Sequence, residues 1–298
     1  MSSVVPPMAS ASRTAARRRR DLRQGSRRRR AMFAAIALLV AFLWLFPVYW
    51  MINTAFKPSG DIQSLTPGFL PLPATLDHFR DAFGKNHFWD NARSSLIVTS
   101  SVVALSMALA FFAATAVARF RFHGRKAIIV LLLVVQMVPF EALLIPMFIE
   151  FNRAGLVYKL PSVIIAYLVF VLPFTIWTLR GFVAAVPVDI EESALVDGCS
   201  RAGAFMKVLF PLIAPGLVAT SIFAFIQAWN EYIYANVLLT NENATLPVWL
   251  ASFVSAGGQI DWGGIMAGST LFALPVVAFF LIIQRRLSGG MTAGAVKG

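Results

Sequence analysis

"EESALVDGCSRAGAFMKVLFP" (residues 191–211) is a polar, helix-coded stretch lodged between two long apolar runs. With Asp189 just ahead of it, four acids fall within nine residues, followed by Gly198, Arg201, Lys207 and Pro211. Acids in a first turn suit the positive end of a helix. Asp189 and Glu192 also stand at the Asp-x-x-Glu spacing of a capping-box variant, with Pro187 in front. Gly198 sits where a helix ends in a left-handed residue, and Ser200 is placed to cap a second helix through "RAGAFMKVLF". Two short helices joined by a glycine turn form an object suited to docking against a partner.

The flanks of this stretch set the fold class. The chain is 58% hydrophobic and only 13% charged, against roughly 25% charged residues in soluble domains. Five uncharged runs approach the roughly 20 residues needed to cross a bilayer: 31–51, 94–118, 160–179, 208–229 and 263–284. A sixth, 127–151, is apolar apart from Glu141 and Glu150. The reading is an all-α polytopic membrane protein with six transmembrane helices. Five of the spans contain proline, at Pro47, Pro139 and Pro146, Pro173, Pro215 and Pro275. Membranes tolerate this where neighbours or a wet cavity satisfy the freed carbonyl, which leans toward a transporter. "GIMAG" (264–268) puts two glycines four apart, a helix-packing pattern.

Charge gives an orientation. Ten arginines lie in residues 1–30, in two "RRRR" blocks at 17–20 and 27–30. Such a run can bind nucleic acid, but before a first span it reads as an orienting signal, and no nucleic-acid partner is expected. The apolar run behind it is too long for a signal peptide and lacks a cleavage site. With the N-terminus inside and six alternating spans, 20 basic residues fall inside and six outside. Both termini are therefore expected in the cytoplasm. The organisation that follows is an Arg-rich tail (1–30), a six-span membrane domain (31–290) with a cytoplasmic loop at 187–211, and a short tail (291–298). The stretch 119–126 becomes a basic cytoplasmic turn and 52–93 an external loop. "LPVWLASFVSA" in the external segment 230–262 is too short to span and reads as surface-lying or re-entrant. "NAT" (243–245) is assigned no role. One cysteine, Cys199, and three scattered histidines supply neither a disulfide nor a metal set.

The loop also carries a family pattern. "ESALVDGCSRAGAFMKVLFP" resembles the cytoplasmic loop of ATP-binding-cassette importer permeases: Glu-Ala-Ala, three residues, Gly, nine residues, Ile-x-Leu-Pro. Glu192, Ala194, Gly198 and Pro211 match, while Ser193, Val208 and Phe210 replace an alanine, the isoleucine and the leucine. "FPVYWMINTAFKP" (46–58), "QMVPFEALLIPMF" (136–148) and "WNEY" (229–232) resemble the carbohydrate-uptake branch, the maltose-type second permease. The resemblance spans about residues 31 to 290. It implies a type I importer permease fold in a prokaryotic inner membrane, a second permease, two ATPase subunits that use ATP and Mg, and an extracytoplasmic solute-binding protein. In that scheme the sugar is delivered by the binding protein and this chain binds no cofactor. It is not itself the enzyme, because it has no G-x-x-x-x-G-K-[ST] phosphate loop. The resemblance assigns ATPase coupling to Glu192, Ala194, Leu195, Asp197, Gly198, Arg201 and Pro211.

For the substrate pathway, polar groups in or beside spans are candidates because burying them in lipid is costly. These are Gln136 and Glu141 on the third span and Asn230 and Glu231 at the end of the fifth. Trp229 and Tyr232 are placed to stack on a sugar, or to anchor at the headgroup belt. The competing class is an ion-coupled secondary transporter, which wants paired ionisable groups in mid-span. Only Glu141 qualifies, with no partner apparent. No catalytic set supports a membrane enzyme, and the docking loop argues against a channel.

Overall fold

The computed structural model describes the backbone of residues 9–66, 68–85, 87–254 and 260–294, with side chains from residue 29 to residue 284. In chain order the helices are Ala9–Ala55 (α1), Ser59–Ile62 (α2), Asp77–Gly84 (α3), Phe88–Arg119 (α4) and Arg125–Val135 (α5). A 3-10 turn at Phe140–Leu143 leads into Leu144–Arg153 (α6), Leu160–Ala185 (α7), Val188–Val196 (α8) and Arg201–Ala204 (α9). A π-helical turn, Phe205–Leu209, continues directly into Phe210–Asn230 (α10), followed by Ile233–Leu238 (α11), Leu246–Ala251 (α12) and Trp262–Gly294 (α13).

Among the described residues, five segments are long and apolar enough to cross a membrane: Arg29–Ala55, Phe88–Arg119, Leu160–Ala185, Arg201–Asn230 and Trp262–Gln284. The sixth expected span is not one straight helix. α5 and the segment Phe140–Arg153 meet at 96°. Pro139 explains the break, since it has no N–H for the carbonyl a turn below and disfavours helical backbone in the residue before it. The chain turns instead through Met137 N–H to Val134 O and Ala142 N–H to Pro139 O. Pro47, Pro173, Pro215 and Pro275, by contrast, lie inside continuous helices.

The centre is α4 packed along α7, with α10 against both. Val98 and Val102 of α4, Tyr167 and Val171 of α7, and Ala224 and Ala228 of α10 are buried together. α1 lies along α13, yet none of its apolar window is buried within the chain. "LPVWLA" does not lie on a surface. Leu246 and Trp249 of α12 are buried, the Leu246 N–H donates to Ser95 Oγ, and Trp249 packs edge-on against Phe88 and Phe253. Aromatic bulk pulls this short helix into the bundle, and the "GIMAG" glycines make the room. A methyl group on Gly264 would stand 2.4 Å from the Phe253 ring, and one on Gly268 2.9 Å from Leu250. The glycine pair thus serves packing.

Candidate coupling site and substrate pathway

The loop of residues 187–211 folds as two helical pieces about a glycine. Pro187, in extended backbone, is the residue before α8, so Asp189 does not cap the helix as its spacing promised. It lies in the first turn with Glu191, where both acids face the positive end of the helix. Gly198 has φ +86°. Its N–H donates to Leu195 O and the Cys199 N–H to Ala194 O, the paired bonds that close a helix through a left-handed residue. Ser200 caps α9, its Oγ accepting from Gly203 N–H at 3.1 Å. Ser193, the departure from the alanine of the pattern, returns its hydroxyl to Asp189 O at 2.7 Å and leaves no polar atom unsatisfied. The second helix is not a separate piece, because α9 passes through the π-helical turn into α10 as one span.

The faces of α8 divide by chemistry. Ala194 is turned inward and nearly buried, while Val188, Ile190, Leu195 and Val196 present apolar side chains to the outside, Val196 at 88% exposure. Glu192, Asp197 and Arg201 are exposed beside them, as is Pro211 on the first turn of α10. Val188, Glu192, Leu195 and Arg201 line a cavity of about 730 Å³ between α8, α9 and the end of α4. Asp197 and Pro211 lie outside it.

One charged contact in this region was not legible in the sequence. Arg119, the last residue of α4, pairs with Glu191 at 2.6 Å, the two side chains 12% and 19% exposed. Its Nε also donates to Glu191 and its Nη2 to Val186 O. These partners are 72 and 67 residues apart in the chain, and read linearly Arg119 is one more basic residue of a loop.

On the pathway side, the broken span gathers some of the expected residues. Gln136 ends α5 and Glu141 lies in the 3-10 turn, and both line a cavity of about 290 Å³ with Gln227, Phe140, Phe174 and Phe223. Gln227 was missed. An amide near the end of the apolar run 208–229, three residues before Asn230 and on the same helical face, was the available signal. Asn230 is exposed and bonds back to Ile226 O, and Tyr232 is exposed.

Trp229 and Glu231 are used differently from the expectation. Trp229 is 1% exposed, stacked with Phe225 and Phe272 and donating its indole N–H to Phe272 O. Both of its faces are covered by protein, so its place is in the packing. Glu231 holds the corner between α10 and α11. Its carboxylate accepts from Tyr234 N–H at 2.8 Å, Ala235 N–H at 3.2 Å and the Tyr167 hydroxyl at 2.5 Å. Burial raises its pKa, and these hydrogen bonds pull the other way without cancelling the effect. Tyr234 continues the chain of contacts. Its hydroxyl donates to Phe140 O at 2.8 Å and its ring stacks on Phe140. Burial and the carboxylates of Glu231 and Glu141 push its pKa up to about 12, so it stays protonated as a donor. Glu231 thereby fixes, through Tyr234, the turn that carries Glu141.

A spanning helical bundle with such a loop matches known proteins along most of its length. Residues 106–293 match the family model described as the binding-protein-dependent transport system inner membrane component. The chain belongs to that family. It is 48% identical to the diacetylchitobiose uptake system permease protein DasC of Streptomyces coelicolor, over 88% of this chain and 96% of that one. It is 35% identical to the trehalose transport system permease protein SugB of Mycobacterium tuberculosis, over 91% and 99%. Among solved structures, a bacterial ABC transporter importing the acidic polysaccharide alginate shares the fold. Its TM-score is 0.73 at 21% identity, covering 87% of this chain and 97% of that chain. As a family member the chain is a permease of binding-protein-dependent transport.

Proposed function

We propose that this chain is one of two permease subunits of an ATP-driven importer that carries a mono-, di- or oligosaccharide delivered by an extracytoplasmic binding protein. Two ATPase subunits bind and hydrolyse ATP with Mg, and this chain supplies half of the pathway. Both termini and α8 face the cytoplasm of a prokaryotic cell, on the charge asymmetry of 20 basic residues against six. The sugar class is supported by relatives named for diacetylchitobiose and trehalose uptake.

The observation that carries the reading is α8: a short helix, closed at Gly198, with four exposed apolar side chains flanked by Glu192, Asp197 and Arg201. An apolar patch with a charged rim has the anatomy of a protein interface. In this reading Ala194 lets α8 sit close to the bundle, Gly198 makes the turn, and Pro211 starts the span that α9 leads into. ATP binding would stabilise one orientation of the spans over the other through α8, which is how a ligand drives alternating access. In the pathway, Gln136, Glu141 and Gln227 offer hydrogen bonds to sugar hydroxyls beside aromatic walls, with Asn230 and Tyr232 at the end of the fifth span.

The test is a mild-detergent pull-down of the tagged chain with its partners identified by mass spectrometry. A second multi-span permease and an ABC ATPase are expected in the eluate. A homo-oligomer without an ATPase, reproduced in several detergents, would refute the reading.

A further inference from the structure

We propose that Arg119 and Glu191 are positioning residues of the transport cycle: their ion pair makes α8, α4 and the end of α7 move as one body. The proposal rests on the reading of α8 as the docking element. α8 is attached to the bundle at both ends, and the two attachments differ. On the α7 side only Val186 and Pro187 intervene before Val188, so that link is short. On the α9 side the chain passes through Gly198, a residue with unusual backbone freedom. A push on α8 can be absorbed there unless something else couples the helix to the spans.

Arg119 supplies that coupling. One guanidinium holds Glu191 in the first turn of α8, at 2.6 Å, and the Val186 carbonyl at the end of α7, at 2.9 Å. The planar fork of arginine makes both contacts at once, and a lysine there would keep the charge that faces Glu191. Each charge also lies at the helix end that favours it, the cation at the C-terminus of α4 and the anion in the first turn of α8. The far side of the loop is joined to the same helix by apolar contact, because Phe205 of the π-helical turn stacks on Phe111 of α4 at 4.4 Å. α4 is therefore gripped on both sides of α8, and α4 packs along α7 and against α10.

The experiment uses the intact complex purified through this chain and reconstituted in liposomes with its binding protein and, as probe sugars, diacetylchitobiose and trehalose, for which relatives are named. It compares Arg119→Gln, Glu191→Gln and Arg119→Lys by uptake and by ATP hydrolysed per sugar imported. The glutamine variants are expected to assemble, to lose uptake by about threefold to thirtyfold, and to raise the ATP cost of each sugar. Arg119→Lys keeps the charge and should stay nearer the wild-type ratio. Glutamine variants with the wild-type ratio, or a lysine variant as uncoupled as Arg119→Gln, would overturn the proposal. So would glutamine variants that fail to assemble, since the pair would then serve folding rather than coupling. Absence of an ATPase from the wild-type complex is a distinguishable failure, because it refutes the importer reading itself.

Discussion

At the scale of single residues, the backbone of Gly198 carries more than its lack of a side chain. A methyl group there would meet nothing within 4 Å, so the demand is conformational: φ is +86° and a Cβ is strained in that region. Gly198→Asn should therefore keep most of the uptake, because asparagine enters the left-handed region at little cost. Gly198→Val, at about 1–3 kcal/mol of local strain, should abolish uptake while the protein still inserts. Equal uptake by the two variants would remove the conformational argument. Glu231 makes a pH prediction. Its folded-state pKa is raised by burial, so between the ordinary carboxylate range and that value the folded form binds more protons than the unfolded form. Stability in detergent should fall as pH rises through this window, and Glu231→Ala should flatten the slope of Tm against pH. A wild-type Tm that climbs across the window would show the opposite sign. Trp229 and Tyr232 separate packing from exposure: Trp229→Ala should cost about 3–5 kcal/mol and Tyr232→Ala within about 0.5 kcal/mol, measured by unfolding in detergent.

At the scale of elements, the sequence carried the spans well and the break poorly. Apolar run length locates α1, α4, α7, α10 and α13 because a bilayer imposes a length, and the start of α9 was marked by Ser200. Run length has no angle in it. Prolines occur in four continuous helices as well as at the 96° break, so their presence could not tell the two apart. The sequence left α12 open between a surface-lying and a re-entrant helix for a related reason. Six residues with one tryptophan and two leucines suit an interface as well as a core, and the glycines that make room there lie on α13. The candidate residues divide the same way. Glu192, Ala194 and Gly198 are set by local chain geometry, whereas Arg119, Trp229 and Glu231 each take one partner from a distant segment: Glu191, Phe272 and Tyr167. The broken span gives a prediction of its own: Gln227→Ala and Glu141→Ala should each raise the sugar concentration for half-maximal uptake while leaving assembly intact. Unchanged half-saturation in both would remove this cavity from the pathway.

At the scale of the whole molecule, the chain presents surfaces that make sense in an assembly. Its first span buries none of its apolar window within the chain, leaving that stripe for lipid or for the proposed second permease. The central trio α4, α7 and α10 is packed as a unit, and α8 projects from its end on the Arg119–Glu191 contact. In the proposed importer the motor is a separate ATPase, and α8 is the surface proposed to meet it. The most direct measurement is cysteine cross-linking at the most exposed apolar residue of α8, Val196, in a Cys199→Ser background in native membranes. Val196→Cys should give a cross-linked product containing an ABC ATPase, identified by mass spectrometry, while a cysteine at the outward-facing Trp44 of α1 should not. The absence of any ATPase adduct at Val196, in membranes where the variant still supports sugar uptake, would contradict α8 as the coupling element.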